Sequence, residues 1–275
     1  MNNFTTRTIT GAVFVILVVG SVILDARIFA TLFLFVSILT QLEFYQILGK
    51  RGRKPQTYIG TGIGSILYLS LAANALGMLG SFGNMLIFLN FFLISIVFIA
   101  ELFTHSADPF GNIGTTITGV IYVALPFGLL NYLYLPVVYP NNFNFGILLG
   151  YFLILWLNDT GAYLVGSAIG KHRLYELVSP GKTWEGSIGG AIFAVLTAGL
   201  LSNYFTGLLL WQWISIALLV VVFGTLGDLV ESMLKRSLGI KDSGNLLPGH
   251  GGLLDRFDAV LLSAPVVFVF ITICQ

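Results

Sequence analysis

The chain has 275 residues, 56% of them hydrophobic and 9% charged, with 13 Lys and Arg against 12 Asp and Glu for a formal net charge of +1. Soluble domains carry roughly 25% charged residues, so this composition, with its mean hydropathy of +0.93, excludes an ordinary water-soluble globule. The near-zero net charge argues against a nucleic-acid partner, because binding a phosphate backbone needs a dense field of Lys and Arg.

A bilayer core about 30 Å thick takes about 20 apolar helical residues to cross, so a chain of this length admits roughly eight to ten crossings. Apolar stretches run over about 8–24, 28–48, 58–79, 84–103, 114–138, 145–169, 187–206, 210–230 and 257–274. The first follows Arg7 and could pass for a signal peptide, but no small-residue cleavage pattern follows it, so it is read as a retained helix. Glycines inside the stretches, as in Gly60, Gly62, Gly64 and Gly186, Gly189, Gly190, read as positions where helix backbones approach closely. The lone cysteine, Cys274, leaves no intrachain disulfide. No repeat, low-complexity tract or linker divides the sequence. The expected fold is all-α, a single polytopic domain over 1–275 with nine transmembrane helices. In it 1–144 forms an apolar scaffold and 145–275 carries catalytic spans and loops.

Cytoplasmic loops collect Lys and Arg. With the N-terminus inside and nine crossings, twelve of the thirteen basic residues fall on one side, and only Arg27 lies outside. The C-terminus is then outside. The Lys50, Arg51, Arg53, Lys54 cluster reads as a topology anchor against anionic headgroups. Residues 158–258 hold eight of the twelve acids, which points to the second half as the site.

An ionisable group at membrane depth costs roughly 2.5–3.5 kcal/mol even on lenient scales, so each needs a reason. Asp159, in Asn158-Asp-Thr-Gly-Ala-Tyr163 of the sixth stretch, is either a buried group bonded to a neighbouring helix or part of a site. The following loop contains Ser179-Pro-Gly-Lys-Thr-Trp-Glu-Gly186. Its Gly-Lys-Thr lacks the glycine a P-loop requires, since position 176 is Glu. A turn leading into a helix N-terminus favours an anion, against the plainer reading in which Ser179 or Thr183 caps the helix. Asp228 and Glu231 share a helix face at i and i+3, which implies a divalent cation or a Lys partner, Lys235 being at i+4 from Glu231. The polar segment from Ser232 to Asp258 sets Lys235, Arg236, Lys241, His250 and Arg256 among Asp242, Asp255 and Asp258. Such a loop suits several phosphates and a magnesium ion, which prefers a few carboxylates plus substrate oxygens.

That segment resembles the pattern of the phosphatidate cytidylyltransferase (CDP-diacylglycerol synthase) family: Ser-x-apolar-Lys-Arg, Lys-Asp, then Pro-x-His-Gly-Gly-apolar-x-Asp-Arg-apolar-Asp. The upstream segments at Asp159–Tyr163 and Ser179–Gly186 are similar to the family's as well, whereas the first five stretches are alike only in being apolar. The resemblance implies magnesium-dependent transfer of CMP from CTP to phosphatidic acid, giving CDP-diacylglycerol and pyrophosphate in phospholipid biosynthesis. It implies metal ligation by Asp228 and Asp255, with Glu231, Asp242 and Asp258 as further ligands or as partners of Arg256 and Lys235, and a second cation, K+ or Mg2+, beside the first. Ser179, Lys182, Thr183 and Lys171 would hold CTP phosphates, with Glu185 and Lys241 in the substrate-binding set and Asp159 orienting a neighbouring group. Lys235, Arg236, His250 and Arg256 would face the lipid phosphate or departing pyrophosphate. The expected setting is a multi-pass protein of the inner, cytoplasmic membrane, its site facing the cytoplasm and a homodimer compatible with the resemblance. Rival readings are an ion-coupled transporter using Asp159 and Asp228, a CTP-dependent lipid kinase such as a polyprenol kinase, and a non-catalytic scaffold. Alcohol-phosphotransferases that consume CDP-diacylglycerol are disfavoured, because their Asp-Gly and Ala-Arg helix motif is absent.

Overall fold

The computed structural model describes residues 3–50, 52–134, 145–244 and 251–274. Nine helical runs occupy them: α1 Asn3–Leu24, α2 Ala26–Gly49, α3 Thr57–Ala75, α4 Ser81–Leu102, α5 Pro109–Leu133, α6 Gly146–Ile169, α7 Trp184–Tyr204, α8 Leu210–Ser237 and α9 Leu254–Ile273. Each apolar stretch expected from the sequence thus coincides, where it is described, with a helical run to within a few residues, with 76–79 of the third lying beyond the end of α3. Seven of these helices, α2 and α4 to α9, are long and apolar enough to cross a bilayer; α1 contributes a shorter apolar helix, Thr8–Leu24. Glycine and hydroxyl residues dilute α3. One feature escaped the sequence reading: β1, Arg173–Tyr175, pairs antiparallel with β2, Ser179–Thr183, with Arg173 opposite Thr183. Ser179-Pro-Gly reads as a turn by composition, but it lies within the second strand and the turn is at 176–178.

The chain falls into two compact units, residues 1–132 with 238–257, and residues 133–237 with 258–275. In the first, α2 carries Phe29 and Phe33, stacked at 4.2 Å between ring centroids, and Phe127 meets Phe257 edge-on at 5.2 Å. All four rings are buried. Between helices in lipid, packing and hydrogen bonds replace the hydrophobic effect as the glue. Here Gln41 Nε2 donates to Tyr45 Oη (2.9 Å) and to the Gly60 carbonyl (3.0 Å), and Tyr45 Oη donates to the Thr116 carbonyl (2.7 Å). A Cβ at Gly60 would collide with Tyr45 and one at Gly64 with Gln41, as the packing reading requires, whereas one at Gly62 would meet nothing. Buried Glu101 accepts from Gln56 Nε2 (2.6 Å) and Asn112 Nδ2 (2.8 Å), and Arg53 pairs with Asp108.

The second unit holds α6, the hairpin, α7, α8 and the rest of α9. Its α6 and α7 meet along small residues. A Cβ at Gly189 would stand 2.5 Å from Val165, and one at Gly190 would stand 2.6 Å from Asn158 Oδ1 and 2.7 Å from the Asn158 carbonyl oxygen. Backbone cannot yield as a side chain can. Gly190→Val is therefore expected to cost about 1–3 kcal/mol, read as a lower unfolding midpoint in detergent, while Gly62→Ala leaves the midpoint unchanged. Tyr151 Oη and Ser263 Oγ, 2.6 Å apart, tie α6 to α9.

Candidate active site

In the second unit the chain leaves α6 at Gly170, passes through the hairpin and enters α7. Glu185, in the first turn of α7, holds this loop. It accepts from the backbone N–H of Lys171 (3.1 Å) and His172 (3.2 Å) and sits 2.5 Å from His172 Nδ1. Thr183 is the cap, its Oγ1 accepting from the Gly186 N–H at 3.1 Å. Of the two capping residues considered from sequence, Thr183 takes that place. Thr183→Ala is expected to remove about 1 kcal/mol, measured as a lower thermal midpoint.

A cavity of about 570 Å³ opens among α6, the hairpin, the start of α7 and α8. That size lies within the roughly 300–1,000 Å³ usual for small-molecule sites. Its charged lining is Asp159, Arg173, Lys182 and Asp228. Lys182 Nζ stands 2.6 Å from Asp228 Oδ2, and the Ser232 hydroxyl donates to Asp228 Oδ1 at 3.2 Å. Asn158 Nδ2 reaches Asp159 Oδ1 at 3.4 Å. Asp258 lies within Coulomb range of Asp228, Asp159 and Lys182. One ammonium thus has Asp228 in contact and Asp159 and Asp258 within Coulomb range, beside the N-terminus of α7, where free N–H groups and the helix dipole favour an anion.

One turn beyond Asp228, buried Glu231 pairs with Lys235 at 2.5 Å, and Arg236 Nε donates to the Val178 carbonyl at 3.4 Å. Each acid of the Asp228 and Glu231 pair thus has a lysine, the alternative that the i, i+3 spacing left open.

In the first unit, Asp255 Oδ2 accepts from the Ser243 N–H (3.0 Å), the Ser243 hydroxyl (2.9 Å) and the Gly252 N–H (2.9 Å). Gly251, at φ 82°, permits this turn, since few side chains tolerate that conformation. Lys241, Asp242 and Arg256 are exposed. His250 lies outside the described residues.

The structure brings Asp159, Lys182, Asp228 and Asp258 together in one unit and sets Asp255 on the Ser243 turn in the other. Ser179 and Lys171 do not line the cavity, and Glu185 shapes the loop beside it. Two residues escaped the sequence reading. Arg173 lines the cavity but counted only among the twelve basic residues placed on one side, and Glu43 of α2 bonds the Ser243 turn without belonging to any motif. Among the described residues no three His, Cys, Asp or Glu form a ready metal cage. The donor type nonetheless suits a hard divalent cation, because Asp159 and Asp228 offer carboxylate oxygens on the cavity wall, and magnesium characteristically takes one or two carboxylates and completes its shell from substrate phosphates and water.

A family model described as the cytidylyltransferase family matches residues 5–274. Over 122 residues the chain is 49% identical to a phosphatidate cytidylyltransferase of Staphylococcus aureus (strain COL), a stretch covering 44% of this chain and 46% of that protein. It is 47% identical over 122 residues to the protein of that name from Staphylococcus epidermidis (strain ATCC 35984) and 45% identical over 121 residues to that from Staphylococcus saprophyticus (strain ATCC 15305), again covering 44% of this chain and 46% of each relative. The matched stretch thus spans a little under half the length of these relatives.

Proposed function

This chain belongs to the cytidylyltransferase family, and from that premise we propose that it transfers CMP from CTP to phosphatidic acid, releasing pyrophosphate and forming CDP-diacylglycerol. The observation that carries the reading is the second unit's cavity, where Lys182 and Arg173 stand among acids at a helix N-terminus. In the reaction a phosphate oxygen of the lipid attacks the α phosphorus of CTP, and the bond from that phosphorus to the pyrophosphate oxygen breaks. The second pKa of a phosphate monoester is about 6, so the nucleophile is already an anion and no strong general base is needed. The barrier is the approach of two polyanions, which cation clamps and positioning lower.

Lys182 serves as the clamp on the CTP phosphates, exchanging its Asp228 oxygen for a phosphate oxygen. Arg173 adds a planar, bidentate donor on the same wall. Asp228 in one unit and Asp255 in the other are each assigned as cation ligands, with Asp159 and Asp258 beside Asp228. A bound magnesium ion would supply charge neutralisation on the phosphate oxygens. In this structure Lys235 pairs with Glu231 within α8 and Arg236 ties α8 to the Val178 carbonyl, and Arg256, Lys241 and His250 are assigned to the lipid phosphate or pyrophosphate. We also place nine crossings with the N-terminus cytoplasmic, since this arrangement gathers the basic loops on the side where CTP is found and phosphatidic acid can enter from the inner leaflet.

The test is protein reconstituted in liposomes, scored for pyrophosphate with each component omitted in turn. Release is expected to require phosphatidic acid, magnesium and CTP together, with ATP, GTP and UTP giving little. Equal turnover with ATP, or turnover without phosphatidic acid, contradicts the reading.

A further inference from the structure

Glu43 lies in the half of the chain that reads as scaffold, yet α2 buries it to 8% exposure. A carboxylate withdrawn from water needs several donors to offset its lost hydration. Glu43 finds them on both stems of the polar loop. Its Oε1 accepts from the Ser243 hydroxyl and its Oε2 from the Leu253 N–H at 2.9 Å. The stems are shaped to admit it: a Cβ at Gly244 would stand 2.9 Å from Glu43 Cδ, and one at Gly252 would collide with Glu43 Oε1 and Ser243 Oγ. Ser243 is the link onward, since its N–H and Oγ both contact Asp255 Oδ2, at 3.0 and 2.9 Å. The hydroxyl has one proton for two carboxylates. While Glu43 takes it, the backbone N–H groups of Ser243 and Gly252 still donate to Asp255.

We propose that Glu43 is a positioning residue: by gripping Ser243 and Leu253 it closes the two stems of this loop and fixes where Asp255 presents its carboxylate. The proposal rests on reading Asp255 as a cation ligand in cytidylyl transfer. It also separates two roles that an acid at this place could have. As a clamp, Glu43 acts through hydrogen bonds that an amide can replace, Oε1 accepting from Leu253 and Nε2 donating to Ser243 Oγ. As a ligand, it needs its charge.

The experiment compares full-length wild type, Glu43→Gln and Glu43→Ala in detergent by magnesium titration of pyrophosphate release and by trypsin cleavage after exposed Lys241 without magnesium or CTP. Groups that orient a ligand are worth about 10–100-fold in metal affinity, so Glu43→Ala is expected to raise half-saturating magnesium about 10-fold or more, with the KM for CTP at saturating magnesium nearly unchanged. Glu43→Ala should also be cleaved faster, and Glu43→Gln should stay close to wild type in both readings. The proposal is overturned if Glu43→Ala matches wild type, or if Glu43→Gln is as damaged as Glu43→Ala in the magnesium titration. If Glu43→Ala does not fold, Ser243→Ala reads the same link: a raised magnesium requirement supports it and an unchanged one overturns it. A wild type that makes no pyrophosphate contradicts the reaction itself, and the cleavage comparison then still decides the clamp.

Discussion

Asp228→Asn is expected to lower the rate of pyrophosphate release by about 10²–10³-fold or more, the usual cost of deleting one preorganised electrostatic group, while the protein remains folded. Asp228 is where the second unit's charge converges: Lys182 at 2.6 Å, the Ser232 hydroxyl at 3.2 Å, and Asp159 and Asp258 in Coulomb range. The substitution keeps the shape and one acceptor for Ser232 but removes the charge facing Lys182. Both members of the pair are partly open to the cavity, with side chains 28% and 35% exposed, so the orphaned ammonium stays hydrated and the fold is not at stake. Lys182→Met should be similarly damaging for the complementary reason, the loss of a cation against the substrate's phosphates. Groups acting as one unit are not additive, so the double variant should be little worse than the worse single one. Full additivity would place Lys182 and Asp228 in separate steps. Unchanged turnover in Asp228→Asn would remove Asp228 from the site.

Asp255→Asn is the second large effect, with magnesium-dependent turnover expected to fall by about 10²-fold or more. Its cause differs from that at Asp228. Asp255 Oδ2 closes the Ser243 turn through two N–H groups and a hydroxyl. An amide oxygen can still accept those bonds, so the turn survives while the negative charge is lost. Trypsin cleavage after Lys241 should then remain near wild type, in contrast to Glu43→Ala, where the turn loosens. Near-normal magnesium-dependent release of pyrophosphate would show the ligand assignment to be wrong.

The helices were legible from apolar length alone, because lipid forces every spanning backbone to satisfy its own hydrogen bonds. Within them Asp159 and Asp228 stood out because a charge in an apolar helix is costly, and the structure sets both on one cavity with Lys182. Where a residue has two plausible jobs, sequence could not choose between them. Thr183 fits a phosphate cradle and a helix cap equally well by composition; the 3.1 Å bond from the Gly186 N–H shows that it caps, and it lines the cavity as well. Glu185, read among the substrate-binding residues, holds the Lys171 and His172 backbone. Glu43 was invisible for a different reason. It bonds residues about 200 positions away in the chain, and no local pattern in α2 marks it. Its signal was present but unused: an acid standing alone in an apolar helix, the same mark that drew attention to Asp159.

The most direct measurement follows labelled phosphorus from CTP in liposomes containing phosphatidic acid. With the label on the α phosphorus, the expected result is a radioactive lipid that migrates as CDP-diacylglycerol; with the label on the γ phosphorus, the lipid stays unlabelled and the counts appear in pyrophosphate. Transfer of the γ label to lipid with release of CDP would make the chain a CTP-dependent lipid kinase and contradict cytidylyl transfer.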